Sequence, residues 1–101
     1  MVFKIIWSPL ALKTYISNIE YLEAEWTNRE VKNFLDAVQR KLSILSFQPK
    51  TGRLTSKRLH LRQTVIHKRM ILIYRFKPQK KEVELVRFFG TYQNPLRLRK
   101  R

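Results

Sequence analysis

Arg58, His60 and Arg62 alternate along a segment in which Leu59 and Leu61 are apolar. In an extended chain alternate side chains share a face. Arg58, His60, Arg62 and Thr64 are therefore predicted to line one face of a strand, with Leu59 and Leu61 on the other. Gln63 interrupts the apolar series, so a twist or bulge is expected to start there. Two guanidiniums flanking an imidazole suit a phosphodiester. Arginine holds non-bridging oxygens bidentately, and histidine moves a proton near neutral pH. Such a face can help a ribose 2′-hydroxyl attack its own phosphate without a metal. A plainer reading stands beside it, because polar alternation is what any sheet with one solvated face shows.

Other familiar chemistry lacks its residues. The chain has no cysteine, which removes disulfides, thiolate zinc sites and a thiol nucleophile. Its two histidines, His60 and His67, do not make a zinc site by themselves. The only aspartate is Asp36, so a Ser-His-Asp arrangement would have to bring it to one of them. With Gly52 and Gly90 as the only glycines there is no phosphate-cradling loop. The acidic residues between positions 20 and 36 are interspersed with basic ones and look like helix-surface charges. No metal and no cofactor is expected.

What the chain has in excess is positive charge. It carries 22 Lys and Arg against 7 Asp and Glu, a formal net charge of +15. Residues 1–48 hold six basic and five acidic side chains, so almost the whole excess falls on residues 49–101. Self-repulsion opposes compaction, and a solvated face does not account for this asymmetry. A surface that meets phosphates, an acidic protein or anionic lipid does. A single domain spanning residues 1–101, with a basic tail at 97–101, is the expected organisation. No apolar run reaches the roughly 18–20 residues that span a bilayer, and the first residues do not resemble a signal peptide. The expectation is a cytoplasmic protein without a membrane partner.

The elements that must position these residues follow from periodicity. Residues 2–7 are apolar and β-branched apart from Lys4, and predict a short strand. Ser8 can cap a helix that opens on Pro9. Leu12, Tyr15, Ile16, Ile19, Leu22 and Trp26 follow at helical spacing. Thr27 and Glu30 have the spacing of a capping box, so a second helix starts there. Its stripe is Val31, Phe34, Leu35, Val38, Leu42 and Leu45. The two helices form an antiparallel hairpin, with their aromatic residues in the core. Residues 48–58, with Pro49 and Gly52, predict a cationic loop. Three strands are expected at 59–66, 70–76 and 83–89, the second apolar enough to be central and covered on both faces. Short connections make them an antiparallel meander. The fold class is α+β, in the order β-α-α-β-β-β, with the hairpin packed on a mainly antiparallel four-stranded sheet.

Several single residues have competing readings. His67, Lys68 and Arg69 at a hairpin turn read as a solvated tip. Arg75 and Arg87 lie in otherwise apolar strands, so each must reach solvent, a carboxylate or a ligand. Glu82 and Glu84 are available to pair with them. Tyr92 can pack, stack on a base or donate a proton.

In succession, the stretches 3–11, 49–52, Leu61-Arg62, 69–75, 83–89 and 93–95 resemble toxins of the RelE/ParE superfamily from bacterial toxin–antitoxin pairs. The carrying residues are Phe3-Lys4-Ile5-Ile6-Trp7-Ser8-Pro9-Leu10-Ala11, Pro49-Lys50-Thr51-Gly52, Arg69-Met70-Ile71-Leu72-Ile73-Tyr74-Arg75, Val83-Glu84-Leu85-Val86-Arg87-Phe88-Phe89 and Gln93-Asn94-Pro95. The resemblance covers nearly the whole chain. It implies a compact growth-arresting toxin, of the kind that stabilises plasmids, neutralised by a cognate antitoxin that is acidic and partly disordered when free.

The resemblance also divides by target. RelE-like members cleave mRNA on the ribosome without a metal, and would use Arg58, His60, Arg62 and Tyr92 as the catalytic set. ParE-like members poison DNA gyrase and need no hydrolytic site. An arginine that RelE-like members carry just before the Leu-Val-Tyr run of the central strand is Ile71 here, which favours the ParE-like branch. Target contacts are then expected from the loop residues Lys50, Arg53 and Lys57. Further contacts are expected from Arg69, Arg75 and Arg87 of the strands and from Arg97 and Arg99 of the tail. A third reading, a non-catalytic basic RNA-binding module, fits the charge but not the family pattern.

Overall fold

A computed structural model describes residues 2–67 and 70–90, and the fold is stated for these. The order is β1 (Lys4–Trp7), α1 (Pro9–Glu25), α2 (Asn28–Phe47), a 3-10 turn (Pro49–Thr51), β2 (Arg53–Ser56), β3 (Leu61–His67), β4 (Met70–Lys77) and β5 (Glu82–Gly90). The strands form one sheet in the order β1-β5-β4-β3-β2. β1 runs parallel to β5, and every other pair is antiparallel. The class is the α+β hairpin-on-sheet expected from periodicity, with five strands rather than four.

Both helix starts follow from local chemistry. The Ser8 hydroxyl accepts from the Ala11 N–H at 3.0 Å, with Pro9 opening α1. The Thr27 hydroxyl accepts from the Glu30 N–H at 3.2 Å and opens α2. Ser8 does more than cap. Its N–H donates to the Leu85 carbonyl and its hydroxyl to the Val86 carbonyl, both at 3.2 Å. One residue thus starts the helix and seats it on β5.

The helices cover one face of the sheet. Leu22, Phe34, Val38 and Leu45 bury against Leu72, Tyr74, Val83, Leu85 and Phe88. Each such side chain contributes about 1.5–3 kcal/mol by leaving water. Trp7, Tyr15 and Phe88 form an aromatic cluster, with centroids 5.1–5.6 Å apart. The buried Asn18 amide donates to the carbonyls of Thr14 (2.7 Å) and Phe88 (3.4 Å). The Thr14 hydroxyl accepts the Phe88 N–H at 2.9 Å. These bonds hold β5 where its pairing with β4 shifts register between Ile73 and Tyr74.

β4 is central, but it is not covered on both faces. Met70, Leu72 and Tyr74 are buried, while Ile71, Ile73 and Arg75, which alternate with them, are half-buried. The helices take only the first set.

Candidate functional site

The segment predicted as a loop at 48–58 is built structure. Pro49–Thr51 makes a 3-10 turn, and Arg53–Ser56 pairs with β3 as an edge strand. A polar clamp, buried at Tyr74 and partly exposed at Arg62, holds it. The Tyr74 hydroxyl donates to the Pro49 carbonyl at 2.7 Å and accepts from the Gly52 N–H at 2.9 Å. The Arg62 guanidinium donates to the carbonyls of Gly52 (2.8 Å) and Lys50 (3.3 Å). A Cβ on Gly52 would collide with the Tyr74 ring and lie 2.9 Å from the Gln63 carbonyl oxygen. Glycine is required here by close approach. Burial raises the Tyr74 pKa above the usual tyrosine value, partly offset by the Gly52 bond and the Arg62 charge.

The face of Arg58, His60, Arg62 and Thr64 does not form as predicted. β3 begins only at Leu61, and residues 57–60 make a turn. The His60 N–H donates to the Lys57 carbonyl at 3.3 Å, and the Leu59 N–H to the Ser56 hydroxyl at 3.2 Å. His60 adopts φ 58°, a left-handed conformation that no strand residue holds. Strand alternation therefore stops before it reaches His60 and Arg58. Both are exposed on the turn, while Arg62 faces the clamp.

The remaining cations sort by partner. Arg75 donates to the Leu59 carbonyl at 3.1 Å and to Glu84 at 3.3 Å, and Lys77 also reaches Glu84 at 3.3 Å. The predicted carboxylate pairing holds for Arg75. Arg87 is exposed, with its guanidinium 5.5 Å from the Phe89 ring centroid. Lys50, Arg53 and Lys57 project from the clamped segment and are exposed. His67 is not part of a solvated tip. It packs edge-on to Trp26 and lies 3.6 Å from the Glu30 carboxylate. Lys68, Arg69, Tyr92, Arg97 and Arg99 lie outside the described residues.

Three clefts meet at Phe76, a residue that alternation alone did not single out. One, of about 330 Å³, is lined by Lys50, Leu54, His60, Arg62, Phe76 and Pro78. A second, of about 390 Å³, continues past His60 and Phe76 to Lys77 and Lys80. The third, of about 460 Å³, runs between Phe3, Pro49, Lys50 and Phe76. The surface thus gathers cations around a partly exposed ring. No three His, Asp or Glu side chains among the described residues converge as metal ligands. No helix among them is long and apolar enough to cross a membrane.

A family model described as the ParE toxin of the type II toxin-antitoxin system, parDE, matches residues 5–95. No curated protein sequence matches the chain significantly. The fold is similar to a chain of the chromosomal ParDE TA system from P. aeruginosa. That superposition has a TM-score of 0.70 at 11% identity, covering 88% of this chain and 96% of that one. It is also similar to a chain of the toxin-antitoxin complex RelBE2 from Mycobacterium tuberculosis. There the TM-score is 0.62 at 15% identity, over 89% of this chain and 99% of that one.

Proposed function

We propose, from the premise that the chain belongs to the ParE toxin family of type II toxin–antitoxin systems, that it arrests growth by binding and inhibiting DNA gyrase rather than by cutting RNA. The observation that carries this reading is the engagement of Arg62. Its Nη1 donates to both the Gly52 and Lys50 carbonyls. A nuclease of the kind expected from Arg58, His60 and Arg62 needs those donors aimed at a phosphate before the reaction. Arg75 is likewise turned to Leu59 and Glu84. Inhibition by binding requires only the exposed cations, which the clamp leaves free to face outward.

A cognate antitoxin is the second partner. The structural relatives come from toxin–antitoxin assemblies. A net charge of +15 calls for an acidic segment that orders on binding and covers basic and apolar surface together.

The RelE-like reading, ribosome-dependent mRNA cleavage, has one observation in its favour. His60, Arg62 and Lys50 do share one cleft. The deciding experiment is induction without antitoxin, with pulse labelling of DNA and protein synthesis, paired with supercoiling assays on purified gyrase. Early loss of DNA synthesis and of supercoiling supports gyrase. Immediate loss of translation with intact supercoiling overturns it in favour of mRNA cleavage.

A further inference from the structure

We infer that the clefts meeting at Phe76 bind an unpaired nucleotide, its base against the Phe76 ring and its phosphate among the rim cations. The walls are rich in rings, aromatic at Phe76, His60 and Phe3 and pyrrolidine at Pro49 and Pro78. Phe76 is common to all three clefts, Pro78 and His60 to two, and Pro49 closes the third. Phe76 packs edge to face with Phe3, with centroids 5.2 Å apart and planes at 80°, and Phe3 lines the third cleft with it. A ring held in this way is a stacking platform at little entropic cost. The rim is basic. Lys50 borders two clefts, and Lys80 borders one from the 78–81 turn. The Glu84 carboxylate is already shared by Arg75 and Lys77, and Glu82 lies opposite Lys77 across the β4–β5 pair. Volumes of 330–460 Å³ lie within the range of small-ligand sites.

A planar base with an attached phosphate matches ring-rich walls and a cationic rim. An acidic peptide matches the rim but leaves the rings without a planar counterpart. Two sources supply the same chemistry, a free nucleotide or one exposed in a single strand. The inference concerns binding, with no bond made or broken, and it stands apart from the gyrase reading.

The test uses the purified full-length chain at low and physiological salt. Fluorescence anisotropy follows a labelled oligo-dT strand and a labelled duplex, and NMR follows Phe76 ring protons as dTMP or inorganic phosphate is added. Expected results are preference for single strand over duplex and ring-current shifts at Phe76 with dTMP but not with phosphate. Phe76→Leu is expected to weaken oligo-dT binding roughly tenfold, with Phe76→Tyr near the parent. Lys80→Glu, on an exposed turn where folding is unaffected, is expected to weaken it and to flatten its salt dependence. Shifts with dTMP but no strand preference identify the free nucleotide as the source. Equal binding of duplex and single strand, with Phe76→Leu unchanged and no shift at the ring, overturns the inference and leaves a general polyanion surface. Absence of any nucleotide binding, with an acidic peptide shifting the same ring protons, overturns it in favour of a protein ligand.

Discussion

The hydroxyl of Tyr74 closes a bridge across the base of the cationic segment, accepting from the Gly52 N–H at 2.9 Å and donating to the Pro49 carbonyl at 2.7 Å. Tyr74 is fully buried on the central strand, so the bridge ties an edge segment to the core. Gly52→Ala is expected to destabilise the protein by about 1–3 kcal/mol, because the new methyl meets the Tyr74 ring and the Gln63 backbone with no room to relax. Tyr74→Phe is expected to cost about 1–3 kcal/mol through two polar groups left unpaired. Urea denaturation of each variant measures both.

The same tyrosine gives an alkaline signature. Burial raises its pKa in the folded state above the ordinary tyrosine value of about 10. Above that pH the unfolded chain releases the proton while the folded one keeps it. The folded state then binds more protons, and stability falls as pH rises, by up to about 1.4 kcal/mol per pH unit for one such group. Below pH 10 the contribution is complete. The alkaline decline is expected to be shallower in Tyr74→Phe than in the parent, with a remainder from Tyr15, whose pKa burial also raises. Stability measured from pH 8 to 11.5 tests this, and identical slopes would exclude Tyr74 as a source.

The helix starts were legible because caps are local. The Ser8 and Thr27 hydroxyls each accept from the N–H three residues on, and Pro9 follows Ser8 at the first helical position. β2 was not legible. Its four residues follow Pro49 and Gly52 and are extended because they pair with β3, while Tyr74 and Arg62 hold the preceding Gly52 from 22 and 10 positions away. The candidate catalytic face failed for a related reason. Alternation of Arg58, His60 and Arg62 carries no sign that the chain turns at His60 with φ 58°. Phe76 sits in an apolar run, and only the arrangement of three clefts distinguishes it from its buried neighbours.

Association with an acidic antitoxin is expected to be steered by charge. Lys50, Arg53, Lys57 and Arg58 are exposed within nine residues of chain. Complementary fields raise association rates and leave dissociation less affected. Stopped-flow measurement between low and physiological salt is expected to show at least a tenfold fall in association rate, with the dissociation rate changing far less. A salt-independent association rate would place the basic surface outside the antitoxin contact.

Arg58 and Arg62 separate the two toxin mechanisms, because the structure gives them different work. Arg58 is exposed on the 57–60 turn, and Arg62 holds the Gly52 and Lys50 carbonyls. If Arg58 gripped a scissile phosphate, Arg58→Ala would lower the rate by about 10²–10³ while stability moved by no more than about 0.5 kcal/mol. Under gyrase inhibition the same variant removes one of several exposed cations and keeps most of its growth arrest. Arg62→Ala is expected to behave in the opposite sense to a catalytic deletion. It removes charge-assisted bonds worth about 1.5–3 kcal/mol each, so stability falls together with activity. Arg62→Lys recovers part of that stability, since both carbonyls are met by one nitrogen, Nη1, but a flexible ammonium lacks the planar guanidinium that orients it. Growth arrest of induced cells, urea midpoints and antitoxin pull-down are measured on all three variants. Loss of arrest in Arg58→Ala, with an unchanged midpoint and normal antitoxin binding, would return the nuclease reading. An unchanged midpoint in Arg62→Ala would show that its guanidinium is not needed to hold the segment, and would remove the observation on which the gyrase reading rests.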